Sequence, residues 1–172
     1  MALSKRLAKW KEIPHLKAVL LLLGMTIVLD QVSKWIAQGV LTRTHALSYL
    51  GGSVRLQYAE NPGAFLSLGA ALTESQRFWV FTIGVTGLLG VAVYYLFFRR
   101  LSRNHAIALS LMAGGGFSNL IDRISRGSVI DFMNLGIGSL RTGIFNIADM
   151  AIIVGVVFFC LPTEVPARAP KK

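Results

Sequence analysis

Phe145-Asn146-Ile147-Ala148-Asp149-Met150-Ala151-Ile152-Ile153-Val154-Gly155-Val156-Val157-Phe158-Phe159-Cys160-Leu161 is the stretch whose reading decides this chain. Twelve residues of unbroken apolar character, Met150 to Leu161, follow directly on the carboxylate of Asp149. A charge beside hydrocarbon costs several kcal/mol, so it marks a functional site by default. A second aspartate stands in a comparable setting, in Gly127-Ser128-Val129-Ile130-Asp131-Phe132. Two such acids near the ends of apolar segments suggest an aspartyl dyad.

Composition supports a bilayer as the solvent. The chain has 172 residues, enough for one domain, and is 53% hydrophobic. Its mean hydropathy of +0.58 is too high for a water-soluble protein of this size, and the apolar residues are clustered. The net charge of +10 raises the question of nucleic acid. The basic residues collect at the ends of apolar segments instead, and no nucleic-acid partner is expected. Cys160, the one cysteine, lies in an apolar run as a small core or lipid-facing residue, and no disulfide can form within the chain. His15, His45 and His105 are too far apart in sequence for metal-ligand spacing, which argues against a metallopeptidase.

Four apolar spans are visible, at about Leu16 to Ala37, Phe78 to Phe98, His105 to Ile121 and Ile144 to Leu161. Each is close to the roughly 20 residues that cross a bilayer as a helix, the last two being short. The first has a basic flank like a signal peptide (Lys5, Arg6, Lys9 and Lys11). No small-residue cleavage site follows, and Asp30 and Lys34 are built into its far end, so a retained anchor is expected. With the amino terminus inside, eleven basic residues fall on the cytoplasmic side and seven outside. Six of the eight acids, Asp30, Glu60, Glu74, Asp122, Asp131 and Asp149, then fall at the outer end, leaving Glu12 and Glu164 inside. Both termini are expected in the cytoplasm, and all candidate chemistry outside. Residues 1–161 form one expected domain, and the Pro- and Lys-bearing tail, 162–172, is expected to be disordered.

The outer connections carry their own pattern. Ser53-Val54-Arg55-Leu56-Gln57-Tyr58 alternates apolar and polar, as a half-buried strand does. Ser128 to Met133, ahead of the turn-prone Gly136-Ile137-Gly138-Ser139, reads as a second strand and hairpin. A small sheet resting on the outer membrane surface follows.

Asp131 is placed at a strand end and Asp149 a turn or so into the fourth helix, within several ångströms of its start at about 1.5 Å per residue. Two close carboxylates cannot both ionise cheaply and share one proton. One then acts as base on a water while the other, protonated, polarises a carbonyl. The competing reading has Asp149 helping to cap the fourth helix and Asp131 pairing with a nearby arginine. Spacing alone does not choose between them. Asp30 and Lys34, four apart, can form an ion pair on one helix face. A Ser33–Lys34 protease is disfavoured, because neighbours in a helix do not face each other. Asn61-Pro62-Gly63-Ala64 reads as a turn, and Gly114-Gly115-Gly116 as a close helix contact. Asn119, Asp122 and Arg123 follow at helical spacing, either lining the dyad or tying helix ends together.

Five blocks together resemble the bacterial lipoprotein signal peptidases: Asp30-Gln31-Val32-Ser33-Lys34; Asn61-Pro62-Gly63-Ala64; Gly115-Gly116-Phe117-Ser118-Asn119-Leu120-Ile121-Asp122-Arg123; Gly127-Ser128-Val129-Ile130-Asp131-Phe132; and Phe145-Asn146-Ile147-Ala148-Asp149. They stand in the family's order and span most of the chain. The resemblance implies an all-α membrane bundle of four transmembrane helices, with a small periplasmic β-sheet from the outer loops. It implies an inner-membrane aspartyl endopeptidase, inhibited by globomycin. Such an enzyme removes the signal peptide from a diacylglyceryl-modified prolipoprotein just before the lipidated cysteine. By motif position Asp131 and Asp149 are the catalytic pair, and Asn119, Arg123 and Asn146 line the substrate site. Asp30, Lys34, Asn61, Gly63 and Asp122 match supporting positions. No cofactor or metal is expected, the partners are prolipoprotein and membrane lipid, and a monomer is expected. The chain departs from the family at Ser118, where glycine is usual, and at Phe65, where a small residue often follows the turn. Neither departure touches the dyad. A proton-coupled transporter is the main alternative from another class, although its acids belong near the bilayer midplane. An inactive lipoprotein-binding scaffold is the third.

Overall fold

The computed structural model of the chain describes residues 15–63, 69 and 71–162. The basic amino-terminal flank, Ala64, Phe65 and the tail from residue 163 lie outside the described residues. Helix α1 runs over Leu16–Val40, α2 over Glu74–Phe98, α3 over Arg103–Arg126 and α4 over Ile147–Cys160. Between them lies a four-stranded antiparallel sheet in the order β1 (Leu47–Tyr49), β2 (Val54–Asn61), β3 (Val129–Ile137), β4 (Leu140–Arg141).

Helix ends differ from the hydropathy boundaries wherever polar capping decides them. Helix α2 starts at Glu74 rather than Phe78, because Thr73 and Gln76 form a reciprocal capping box ahead of the apolar run. Its segment Phe78–Gly84 is π-helical. Helix α3 continues five residues past Ile121 to Arg126, where Gly127 closes it at φ 76°. Helix α4 begins at Ile147, later than Ile144, since Phe145 bridges to Met133 and Asn146 is the N-cap. Both expected strands exist and run longer, to Asn61 and Ile137.

The bundle is inverted relative to a water-soluble protein. Leu21 is 61% exposed, Leu88 71% and Trp35 75%, while Asp30, Lys34, Asp122 and Asp131 are each 2% exposed or less. Apolar side chains outward and ionic ones inward require an apolar solvent, so this is a membrane protein. Two helices, α1 and α2, are long and apolar enough to cross a bilayer by length and composition. Helix α4 is apolar over fewer residues, and α3 carries the buried polar groups Ser110, Ser118, Asn119 and Asp122.

Helix α3 is the hub, gripped from two sides through its glycines. A Cβ on Gly114 would fall 2.9 Å from Thr26 of α1, and one on Gly115 would collide with the carbonyl of Ala148 in α4. Small residues therefore set how closely these backbones approach. Along α3 the interior changes character. Ala106, Ala113 and Leu120 belong to an apolar core with Val19, Leu89 and Leu96. From Ser118 onward the buried face of α3 turns polar. The end of α1 carrying Asp30 and Lys34, the start of α4, and strands β2 and β3 gather around that polar end.

Candidate active site

Asp131 reaches the polar end from β3, where it pairs opposite Ala59 beside an irregularity in the β2–β3 register. Asp149 sits in the first turn of α4, and both side chains are buried. Between them stands Asn146. Its Oδ1 accepts the backbone N–H of Asp149 at 2.9 Å, while its Nδ2 donates to Asp131 Oδ1 at 2.7 Å. Asp149 Oδ2 in return accepts the backbone N–H of Asn146 at 3.3 Å, completing a capping box. Asp149 thus does cap α4, as the competing reading held. Asp131, by contrast, takes its hydrogen bonds from amides and not from an arginine.

Three asparagine amides converge on the two acids, and each is oriented by a donor at its other end. Lys34 Nζ, which can only donate, lies 2.8 Å from Asn119 Oδ1, which leaves Asn119 Nδ2 to donate to Asp149 Oδ1 at 3.0 Å. The backbone N–H of Gly63 holds Asn61 Oδ1 at 3.0 Å, so Asn61 Nδ2 donates to Asp131 Oδ2 at 2.9 Å. Asn146 is held the same way by Asp149 N–H. Each of the four carboxylate oxygens therefore receives one donor and keeps a lone pair for water or a shared proton.

Beneath this layer lies a buried ionic cluster. Lys34 Nζ is 2.6 Å from Asp30 Oδ2 and 2.8 Å from Asp122 Oδ2, one cation against two anions. Asp30 Oδ1 accepts the N–H of Ala148 at 2.8 Å, so a side chain of α1 fixes the start of α4. Asp122 accepts the backbone N–H of Ile130 at 3.3 Å, which ties β3 to α3 just before Asp131. The expected Asp30–Lys34 pair is therefore present, and its cluster ties down both segments that carry Asp131 and Asp149. Ser33 donates instead to the Asp30 carbonyl at 2.8 Å, away from the lysine's partners, and a Ser/Lys pair is not assembled.

Sequence reasoning missed Gln31 as a contributor and saw Ser118 only as a departure. Ser118 is fully buried, donates to Asp30 Oδ2 at 2.8 Å and accepts from Gln31 Nε2 at 3.0 Å. Gln31 also donates to Asp122 Oδ1 at 3.2 Å. The signal for Gln31 was its position one residue after Asp30, which does not reveal that it faces α3. Arg123 lies at the edge of the site, donating to the carbonyls of Gly63 at 2.9 Å and Asn119 at 3.4 Å.

Burial raises the Asp131 carboxyl from its ordinary 3.8 to about 7, with repulsion from Asp149 adding to the shift and the Asn61 and Asn146 hydrogen bonds opposing it. An acid that titrates near neutrality can hold or release a proton at working pH. Among the described residues, no group of three or more His, Cys, Asp or Glu side chains is arranged to hold a metal ion. Cys160 is free and exposed on α4.

Comparison with known proteins identifies the family. A family model described as "Signal peptidase (SPase) II" matches residues 22–163. The lipoprotein signal peptidase of Sphingopyxis alaskensis is 37% identical over 145 residues, covering 83% of each chain. That of Moorella thermoacetica is 36% identical over 151 residues, covering 86% of this chain and 93% of its own. A solved structure described as a bacterial membrane enzyme superposes with a TM-score of 0.73 at 26% identity, over 83% of this chain and 85% of that one.

Proposed function

Because the chain belongs to the signal peptidase II family, we propose that it cleaves signal peptides from diacylglyceryl-modified prolipoproteins immediately before the lipidated cysteine, by water attack at an Asp131–Asp149 dyad. The observation that carries this reading is the single bridging residue: Asn146 binds Asp131 with its amide nitrogen and Asp149 with its amide oxygen. A cap alone would engage Asp149 and leave Asp131 elsewhere.

In the proposed reaction the pair holds one proton. The ionised carboxylate takes a proton from water, whose oxygen attacks the scissile carbonyl, while the protonated partner donates to the carbonyl oxygen. On collapse of the gem-diol intermediate the newly protonated acid gives its proton to the departing amine while the other carboxylate takes one back from a diol hydroxyl, so the dyad regains its single proton. Oriented amides supply preorganisation, since none has to turn as charge moves between the acids. Asn119, Asn146 and Arg123 lie where the substrate backbone would pass.

All four helices are read as crossing the membrane, with both termini in the cytoplasm and the dyad at the outer face. An apolar cavity of about 510 Å³ lies between α2, α3 and α4, lined by Leu89, Ala92, Tyr95, Leu109, Met112 and Ile152 among others. It reaches Gly116, one helical turn from Asn119, and is the proposed channel for substrate hydrocarbon.

The test is cleavage of a lipid-modified prolipoprotein by purified protein, comparing wild type with Asp131→Asn and Asp149→Asn. Both substitutions nearly preserve shape and remove the titrating group. Folded variants that lose at least a thousandfold in rate support the dyad. Near-wild-type cleavage by either variant refutes it.

A further inference from the structure

The first turns of α2 leave α-helical geometry where they face the polar end of the bundle. Phe78–Gly84 is π-helical, directly after the regular turn that Thr73 and Gln76 cap. A turn closed by i→i+5 bonds takes in more residues than the 3.6 of an α-helix, so its side chains leave the face that the rest of the helix presents. Such segments occur mostly as single turns and frequently at functional sites.

The π-helical run carries Phe81, whose half-buried ring has two partners outside α2. Arg123 of α3 lies over the ring face, its Cζ 5.9 Å from the centroid. The ring edge lies against the backbone of Gly69, where a Cβ would fall 2.6 Å from Phe81 Cζ and 2.8 Å from Cε2. Gly69 has φ 76°, in the left-handed region that favours glycine, and its carbonyl accepts the Leu72 N–H at 3.0 Å. One aromatic residue thus touches both a cation of α3 and the turn that leads into α2.

Arg123 links this ring to the dyad. One terminal nitrogen donates to the Gly63 carbonyl at 2.9 Å and the other to the Asn119 carbonyl at 3.4 Å. Gly63 N–H holds Asn61 Oδ1, and Asn61 Nδ2 donates to Asp131, while Asn119 Nδ2 donates to Asp149. The guanidinium therefore spans Gly63, which orients the amide serving Asp131, and Asn119, which serves Asp149. Attraction by Asp149, Asp131 and Asp122 draws Arg123 toward the dyad. Two hydrogen bonds at its tips leave the tilt of its plane open, and the face of Phe81 supports that plane.

We propose that Phe81 is a positioning residue for the cleavage reaction: its ring, carried by the π-helical turn, holds Arg123 so that Gly63 and Asn119 keep the dyad's amides in place. Its effect on rate rests on the peptidase reading, whereas its effect on the order of this region rests on the ring contacts alone. Loss of a partly desolvated cation–π contact corresponds to about five- to thirtyfold, which is about 1–2 kcal/mol at 1.4 kcal/mol per factor of ten.

The experiment compares Phe81→Leu and Phe81→Tyr in the wild-type chain and in Arg123→Gln, as full-length protein in detergent. Leucine keeps apolar bulk without a ring, and tyrosine keeps the ring. One readout is initial-rate cleavage of a lipid-modified prolipoprotein. The other is hydrogen–deuterium exchange of the Gly63 and Leu72 amides. Phe81→Leu is expected to lower kcat/KM by about five- to thirtyfold, mainly through kcat, and to speed exchange of both amides. Phe81→Tyr is expected to stay close to wild type in both readouts. In Arg123→Gln, Phe81→Leu is expected to add nothing further to the loss of rate or to exchange at Gly63, because the group it acts through is gone. Leu72, beside the direct Gly69 contact, still exchanges faster there. A full additional loss of rate or protection at Gly63 in Arg123→Gln shows general packing and overturns the proposal. So does a Phe81→Leu variant equal to wild type, or a Phe81→Tyr variant as impaired as Phe81→Leu. Far-UV circular dichroism and elution volume check folding, and Phe81→Met is read in place of a leucine variant that does not fold. If wild type itself does not cleave, the peptidase reading fails, and exchange alone decides Phe81: unchanged exchange at Gly63 in Phe81→Leu overturns its role.

Discussion

Replacing Gly115 by alanine is expected to inactivate the enzyme through geometry alone. The added Cβ would collide with the carbonyl oxygen of Ala148 and lie 2.9 Å from Ile152 Cγ1. Ala148 cannot swing aside, since it is backbone in the first turn of α4 and its own N–H is held by Asp30 Oδ1 at 2.8 Å. Relief requires α4 to move about 1 Å from α3, and Asp149 is the very next residue. A misplacement of that size costs about 10²-fold in rate, and forcing a methyl into a packed contact costs about 1–3 kcal/mol of stability. Gly116→Ala is the matched control, because the nearest atoms to its Cβ all belong to the Leu89 side chain, the tightest being the terminal Cδ2 at 2.8 Å, which a rotamer change can withdraw. The assay is initial-rate cleavage of a lipid-modified prolipoprotein, with thermal unfolding of each variant in the same detergent. Gly115→Ala should lose about two orders of magnitude in kcat/KM, and Gly116→Ala less than tenfold. Activity of Gly115→Ala within threefold of wild type, or equal losses in both variants, would refute the argument that the Gly115–Ala148 contact sets the position of Asp149.

The raised carboxyl of Asp131 predicts two pH effects. With one proton needed on the pair, cleavage should decline as pH rises through about 7, and a flat profile with chemistry limiting would rule out the shared proton. For stability the sign is the reverse of an ordinary salt-bridged acid. Burial of Asp131 is free below its unfolded value of 3.8 and carries its full penalty above about 7. The Tm of Asp131→Asn minus that of wild type should therefore grow more positive from pH 4 to pH 8, and a constant difference would contradict the shift. Lys34→Met should destabilise by about 3–5 kcal/mol, because it strands Asp30 and Asp122 as buried, uncompensated anions. Unchanged thermal stability in that variant would show that the cluster is not ionised as drawn.

Much of this protein was determined by the linear chain. Apolar runs bounded by charge placed four helices, and period-two alternation placed strands at Val54 and Val129, because hydrophobic periodicity is a local property. Asp131 and Asp149 stood out for an equally local reason, the cost of a carboxylate beside hydrocarbon. Element ends were less legible. The start of α2 at Glu74 and of α4 at Ile147 depend on the Thr73 and Asn146 caps, which outweigh hydropathy at a helix terminus.

What only the tertiary structure decided is which groups meet. Nothing in the spacing of Asn61, Asn119 and Asn146 says that their amides turn toward the two acids. That follows from donors supplied by Gly63, Lys34 and Asp149, the first and last set by the local turn and cap and Lys34 brought in from α1. Likewise Ser118 looked like a glycine substitution until it was found bonded to Asp30, 88 positions away. The convergence of Phe81 with Arg123 and Gly69 is of the same kind. Sequence patterns record what each segment will bury, but hydrogen bonds are directional and short, so their pairing is set by helix contacts such as Gly115 against Ala148 that bring distant segments into register.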